Sequence, residues 1–198
     1  METVSFTRMS DGTKADYDLL DREEKAFETG LADRILDHLR LLGDSMGGYQ
    51  VSRLEHSLQS ATRAEDDGAD IDWVVTALLH DIGDMLAPRN HSAMAATMLE
   101  PYVCAECTWV LRQHGLFQLK YYGQHVGQDP DARDKYRDHP AFGACVAFCE
   151  RWDETSFDPA YPTRPLRHFE PMVRTVFARN AWDPEVIREG VRVPPVAA

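Results

Sequence analysis

Six side chains able to bind metal stand in separate stretches of this sequence: His56 in RLEHSLQ, His80 and Asp81 together in TALLHDIGDML, His91 in RNHSAM, His114 in RQHGLF and Asp153 in ERWDET. Imidazole with carboxylate makes a borderline-soft donor set suited to transition metals. Taken alone, each histidine is more readily a structural residue on a buried helix face. An acid beside an imidazole at a helix end is likewise explained by contact with water. The information lies in the set, whose members fall at element ends or on buried faces, and it points to a shared metal site. Hydrolysis by a metal-activated water and metal-based redox chemistry are the two uses such a site offers.

The elements that must position these residues read as helices, and the expected fold class is all-α. From Asp16 to Leu42, apolar residues at Leu19, Leu20, Phe27, Leu31, Ile35, Leu36 and Leu39 form an amphipathic stripe, broken by Gly30 and stopped by Gly43. A second helix is predicted from about Tyr49 to Asp67, ended by Gly68. The third, from about Asp72, carries the His80-Asp81 pair and is apolar around most of its circumference, which marks it as central. Asn90 caps a helix starting at His91, and Pro101 suits the first turn of one running to about Gly115. Asp129-Pro130 opens a short helix to Asp138, His139-Pro140 another through Trp152, and Pro165 a last one to Arg179, kinked or split at Pro171. No segment alternates with the period of a strand.

Length and composition fit one domain. A chain of 198 residues with 43% hydrophobic residues can bury a core without disulfides or a structural metal. The formal charge of -12 repels a phosphate backbone, so nucleic acid is not expected as a partner. No basic-then-apolar leader opens the chain and no long apolar run occurs, so a cytoplasmic, membrane-free protein is expected. The four cysteines, Cys104, Cys107, Cys145 and Cys149, have spacings that invite a zinc reading. They lie inside helical apolar segments without the glycine knuckles of a zinc ribbon, so buried thiols are expected.

The order His56, then His80-Asp81 twenty-four residues later, then Asp153, resembles the H…HD…D signature of the HD-domain superfamily, a helical bundle with metal between its central helices. His91 and His114 match the two further histidines that make the site dinuclear in some branches. More closely, LEHSLQ followed by DGAD, VVTALLHDIGD and one histidine near each of the next two helices resembles the mixed-valent di-iron oxygenases of this fold, especially the hydroxy-aminoethylphosphonate oxygenases. The resemblance is strong over about residues 45 to 155, with helical extensions on either side. It implies that His56, His80, Asp81 and Asp153 hold one iron, that Asp81 bridges, and that His91 and His114 complete the second. It also implies an Fe(II)/Fe(III) pair, dioxygen as co-substrate, and cleavage of a carbon–phosphorus bond to give a carboxylate and phosphate. The hydroxylated substrate would come from a separate hydroxylase acting on the non-hydroxylated phosphonate.

Departures from that family bear on the substrate. Many relatives carry Lys or His three residues after the Asp of the HD pair; here stands Asp84, which either turns away from an anionic substrate or serves a cationic part of it. Tyr49 takes a place where the aminoethylphosphonate enzymes use an acid, and an aromatic face suits a quaternary ammonium. The expected substrate is therefore a 1-hydroxy-2-(trimethylamino)ethylphosphonate, and the products glycine betaine and phosphate. Gln118, Arg133 and Arg151 are candidates to hold the phosphonate, the arginines because their planar fork meets its oxygens in pairs. His38, His125, His139 and His168 are assigned structural roles. Two other readings stay open at this point, a metal-dependent phosphohydrolase acting on nucleotides or other phosphate esters and a catalytically idle ligand-binding HD module.

Overall fold

A computed structural model describes residues 2–188, and among these there is helix and no strand. Helix α1 (Lys14–Glu28) is closed at its start by a capping box in which Thr13 and Asp16 satisfy each other's backbone donors. Gly30 separates it from α2 (Leu31–Leu41), as the sequence predicts. Helix α3 (Arg53–Asp66) begins four residues later than expected, because the Ser52 side chain accepts the Glu55 N–H and serves as the cap.

Helix α4 (Ile71–Leu79) is the centre of the bundle: every residue from Asp72 to Leu79 is buried. It packs against α3 and two later helices, α6 and α8. Its start is fixed twice. Asp70 caps the N–H groups of Asp72 and Trp73 at 3.1 and 3.3 Å. The buried Asp72 carboxylate then accepts the Cys104 N–H at 3.0 Å and pairs with Arg179 at 2.7 Å, tying the bundle's later segments to this helix. With α4 so placed its helical bonds end at Leu79, and the His80-Asp81 pair lies just past its last turn instead of within it.

Helix α5 (His91–Leu99) begins at His91, and α6 (Ala105–Tyr122) starts after Pro101 and runs past the expected end at Gly115. The segment after Pro130 forms a five-residue 3-10 turn, Ala132–Tyr136. Helix α7 (Phe142–Phe148) widens into a π turn at Cys149–Asp153. Helix α8 (Leu166–Phe177) contains Pro171 without being split, since the ring lies on the solvent face where the carbonyl it leaves unbonded can meet water. The short α9 (Pro184–Ile187) ends the described chain.

The four cysteines form no disulfide and are fully buried among the core side chains, and no cysteine joins a metal-competent group among the described residues. No helix of the described residues is long and apolar enough to cross a membrane. Leu79, fully buried on α4, leads directly into the HD pair. Leu79→Ala should cost about 2–5 kcal/mol in the chemical-denaturation free energy.

Candidate metal centre

The helices bring all six sequence-selected ligand candidates to one place. His56 projects from the middle of α3, His80 and Asp81 from the end of α4, His91 from the first position of α5, His114 from α6, and Asp153 from the last position of the π turn. Five of the six are buried, with His91 half-buried. The widened turn matters, because a π turn rotates the residues that follow it relative to a regular α-helix and so sets the direction in which Asp153 points.

Backbone carbonyls fix the imidazole rings. The Nδ1 atoms of His56, His80 and His114 lie 2.9, 2.8 and 2.7 Å from the carbonyls of Ser156, Ala77 and Leu111. A carbonyl only accepts, so each Nδ1 carries the hydrogen and each Nε2 turns inward with its lone pair. The consequence is sharpest where His56 Nε2 and His80 Nε2 face each other at 3.0 Å. Two lone pairs cannot hold that separation unless a cation or a proton stands between them.

The carboxylates divide the cluster into two halves. Asp81 Oδ2 lies 3.4 Å from His56 Nε2 and 3.1 Å from His80 Nε2. Its other oxygen, Oδ1, lies 3.4 Å from both His91 Nε2 and His114 Nε2. Asp153 Oδ1 faces His56 and His80 at 3.3 and 3.5 Å, and its Oδ2 is buried with no hydrogen-bond partner. Three triads, His56-His80-Asp81, His80-His114-Asp153 and Asp81-His91-His114, keep their ligand atoms within 4.8 Å of one another. The inward lone pairs, the orphaned Asp153 oxygen and the N/O donor set all fit divalent transition metal.

Charge is held in this cluster by protons when metal is absent. Burial alone would pull the His56 and His80 imidazoles down, but the facing carboxylates of Asp81 and Asp153 outweigh it and raise both. Burial would likewise push Asp81 and Asp153 up, but His80 together with His56, and for Asp81 also Arg53 and His114, outweighs it and holds both low.

Arg53 is a functional residue that sequence reasoning missed. Almost fully buried, its guanidinium grips Asp81 Oδ2 through Nη2 and Asp84 Oδ2 through Nε, the latter at 2.8 Å. Its signal was its place one helical turn before His56 on the same face of α3. It bears on the Asp84 question: that carboxylate lines the cavity, with one oxygen paired to Arg53, which it shares with Asp81, and the other 3.4 Å from His91 Nδ1. The cavity, about 580 Å³, opens over the cluster and is lined also by Tyr49, Gln118, Tyr121, Tyr122 and Phe157. Tyr49 stacks on Phe157 at 5.0 Å between centroids, and Phe157 stacks on His56 at 4.4 Å. Of the expected phosphonate contacts, Gln118 reaches this cavity and the two arginines do not. Arg133 lies 5.8 Å from the Phe117 ring centroid with its buried Nη1 lacking a hydrogen-bond partner, and Arg151 pairs with Asp67 at 2.7 Å.

Two outcomes follow from the geometry. A Cβ added at Gly83 would sit 2.7 Å from His91 Cα and 2.8 Å from its carbonyl oxygen, so Gly83→Ala must shift the start of α5. The variant should fold yet lose affinity for an ion at the His91-His114 half by about tenfold or more, read by metal analysis after dialysis. With His56 and His80 raised above 6.5, protons compete with metal, so apparent metal affinity should climb as pH rises through and above that value in chelator competition. In the metal-free protein the stability contributed by these imidazolium ions is complete below 6.5 and lost as pH rises through the higher folded values. Thermal unfolding should show that loss without metal and not with it.

The HD domain family model matches residues 53–151, half of the chain, and this span holds the histidines and Asp81 while ending just before Asp153. No curated protein matches the sequence. HD domains bind divalent metals and are typically metal-dependent enzymes, which agrees with the buried His and Asp cluster. From its matched sequence, its helical bundle and its convergent His-Asp cluster, the chain belongs to the HD-domain family.

Proposed function

We propose that this HD-domain protein is a di-iron oxygenase that cleaves the carbon–phosphorus bond of 1-hydroxy-2-(trimethylamino)ethylphosphonate, giving glycine betaine and phosphate. The observation that carries the reading is the split of Asp81: one oxygen faces the His56-His80 pair and the other the His91-His114 pair. A carboxylate so placed can serve two cations and offset their repulsion. Beside Asp81, the first half has two imidazoles and Asp153, whereas the second has only two imidazoles, which leaves positions there for a substrate hydroxyl and a phosphonate oxygen.

Iron held by these six residues would supply dioxygen activation. The chain's own groups do the rest. Gln118 offers an amide to the phosphonate from the cavity wall, and Tyr49 and Phe157 present aromatic faces to the trimethylammonium end. Arg53 holds the bridging carboxylate in orientation and offsets part of the charge of Asp84, which would otherwise repel a phosphonate. The reaction balances without an outside reductant: substrate and dioxygen give betaine, hydrogen phosphate and one proton, the substrate carbon supplying all four electrons. A substrate already hydroxylated at C1 would be provided by a hydroxylase acting on the parent phosphonate.

The test is oxygen uptake by the iron-loaded protein with hydroxyphosphonates differing in N-methylation. Uptake matched by phosphate release, fastest for the trimethylated compound, is expected. Activity with zinc or magnesium alone, and phosphate released from nucleotides without oxygen consumption, would establish a phosphohydrolase instead. Tyr49→Glu should move preference by about tenfold toward the primary amine, as loss of a cation–π contact worth about 1–2 kcal/mol implies. Unchanged selectivity would remove Tyr49 from substrate recognition.

A further inference from the structure

Four carboxylates line the cavity: Asp81, Asp84, Asp153 and Glu154. Three have partners. Asp81 and Asp153 face imidazoles of the metal-competent cluster, and Asp84 is paired with Arg53. Glu154 alone makes no ion pair or side-chain hydrogen bond among the described residues. Its backbone is not free to turn away, since its N–H donates to the Cys149 carbonyl at 2.9 Å, the last bond of the π turn that also aims Asp153. The walls around it are aromatic, with Tyr121, Tyr122, Tyr49 and Phe157 lining the same space.

A carboxylate that feels Arg63 only from beyond ion-pair distance and lines an aromatic cavity is suited to an organic cation. Rings attract an ammonium group by their negative faces, and the carboxylate supplies the net charge that a ring lacks. A quaternary ammonium fits best, because it donates no hydrogen bonds and needs charge and apolar surface rather than acceptors.

We propose that Glu154 is the counter-ion of a cation subsite, holding a quaternary ammonium group among the rings of Tyr49, Phe157, Tyr121 and Tyr122 that line the cavity with it. This rests on the oxygenase reading only for the identity of the rest of the ligand. It assigns the charge recognition to Glu154 and not to Asp84, which is already paired with Arg53.

The experiment uses choline and its neutral isostere 3,3-dimethylbutan-1-ol as probes, titrated calorimetrically into the full-length protein with and without metal. Wild type should bind choline in preference to the isostere. Glu154→Gln should weaken choline by about fivefold or more and leave the isostere unchanged, whereas Glu154→Asp, which keeps the charge, should retain most of the choline affinity. Metal content and unfolding midpoint of both variants report whether the fold and the neighbouring Asp153 are intact. Equal choline binding by wild type and Glu154→Gln, equal losses in Gln and Asp variants, or no choline binding by wild type would each overturn the subsite. Should choline discrimination hold while no hydroxyphosphonate drives oxygen uptake, the subsite stands and the proposed substrate falls. Should the trimethylated phosphonate be turned over with the same KM in Glu154→Gln, the reverse is true.

Discussion

Two imidazole nitrogens, His56 Nε2 and His80 Nε2, point at each other across 3.0 Å in a buried space, because their opposite ring nitrogens are committed to backbone carbonyls. That arrangement is repulsive unless positive charge sits between the rings and the facing carboxylates. The surrounding construction follows from this demand. Asp70 and Asp72 anchor the start of α4 so that its last turn delivers His80 and Asp81, and the π turn delivers Asp153 from the opposite side. In the absence of metal, protons on the imidazoles and the guanidinium of Arg53 carry the charge, which is why the imidazoles are raised and the carboxylates lowered.

Arg53 links the metal-competent cluster to the cavity wall. One end of its guanidinium holds the carboxylate that both halves of the cluster share, and the other holds Asp84 at the cavity wall. A residue that touches both Asp81 and Asp84 couples the orientation of one to the charge of the other. Removing it would leave Asp84 and Asp81 as neighbouring anions, a change felt both in metal affinity and in which ligand the cavity accepts.

The six ligand candidates were legible in the sequence because His56, His80-Asp81 and Asp153 follow the order of the H…HD…D signature, with His91 and His114 between, each in a separate helical segment. The helical class was legible from periodicity. Less so were the element boundaries, since Ser52 and Asp70 set starts through caps whose partners lie a turn away, and α4 ends where its hydrogen bonds stop, not where its apolar run stops. Pro171 sits inside a helix because its ring faces water, a property of the folded surface that the local sequence does not carry. Residue type and local sequence alone do not single out Arg53 and Glu154. Their roles depend on which distant carboxylate or ring lies opposite, and Arg133 and Arg151, equally plausible by type, found Phe117 and Asp67 instead.

The central claim is that Asp81 stands between two cations. Anomalous diffraction from crystals of the iron-loaded protein, collected on both sides of the iron edge, tests it most directly. The account predicts two peaks about 3.5–4 Å apart, one beside His56, His80 and Asp153 and the other beside His91 and His114, with an Asp81 oxygen toward each. A single peak, or His91 and His114 turned away from any metal, would contradict it.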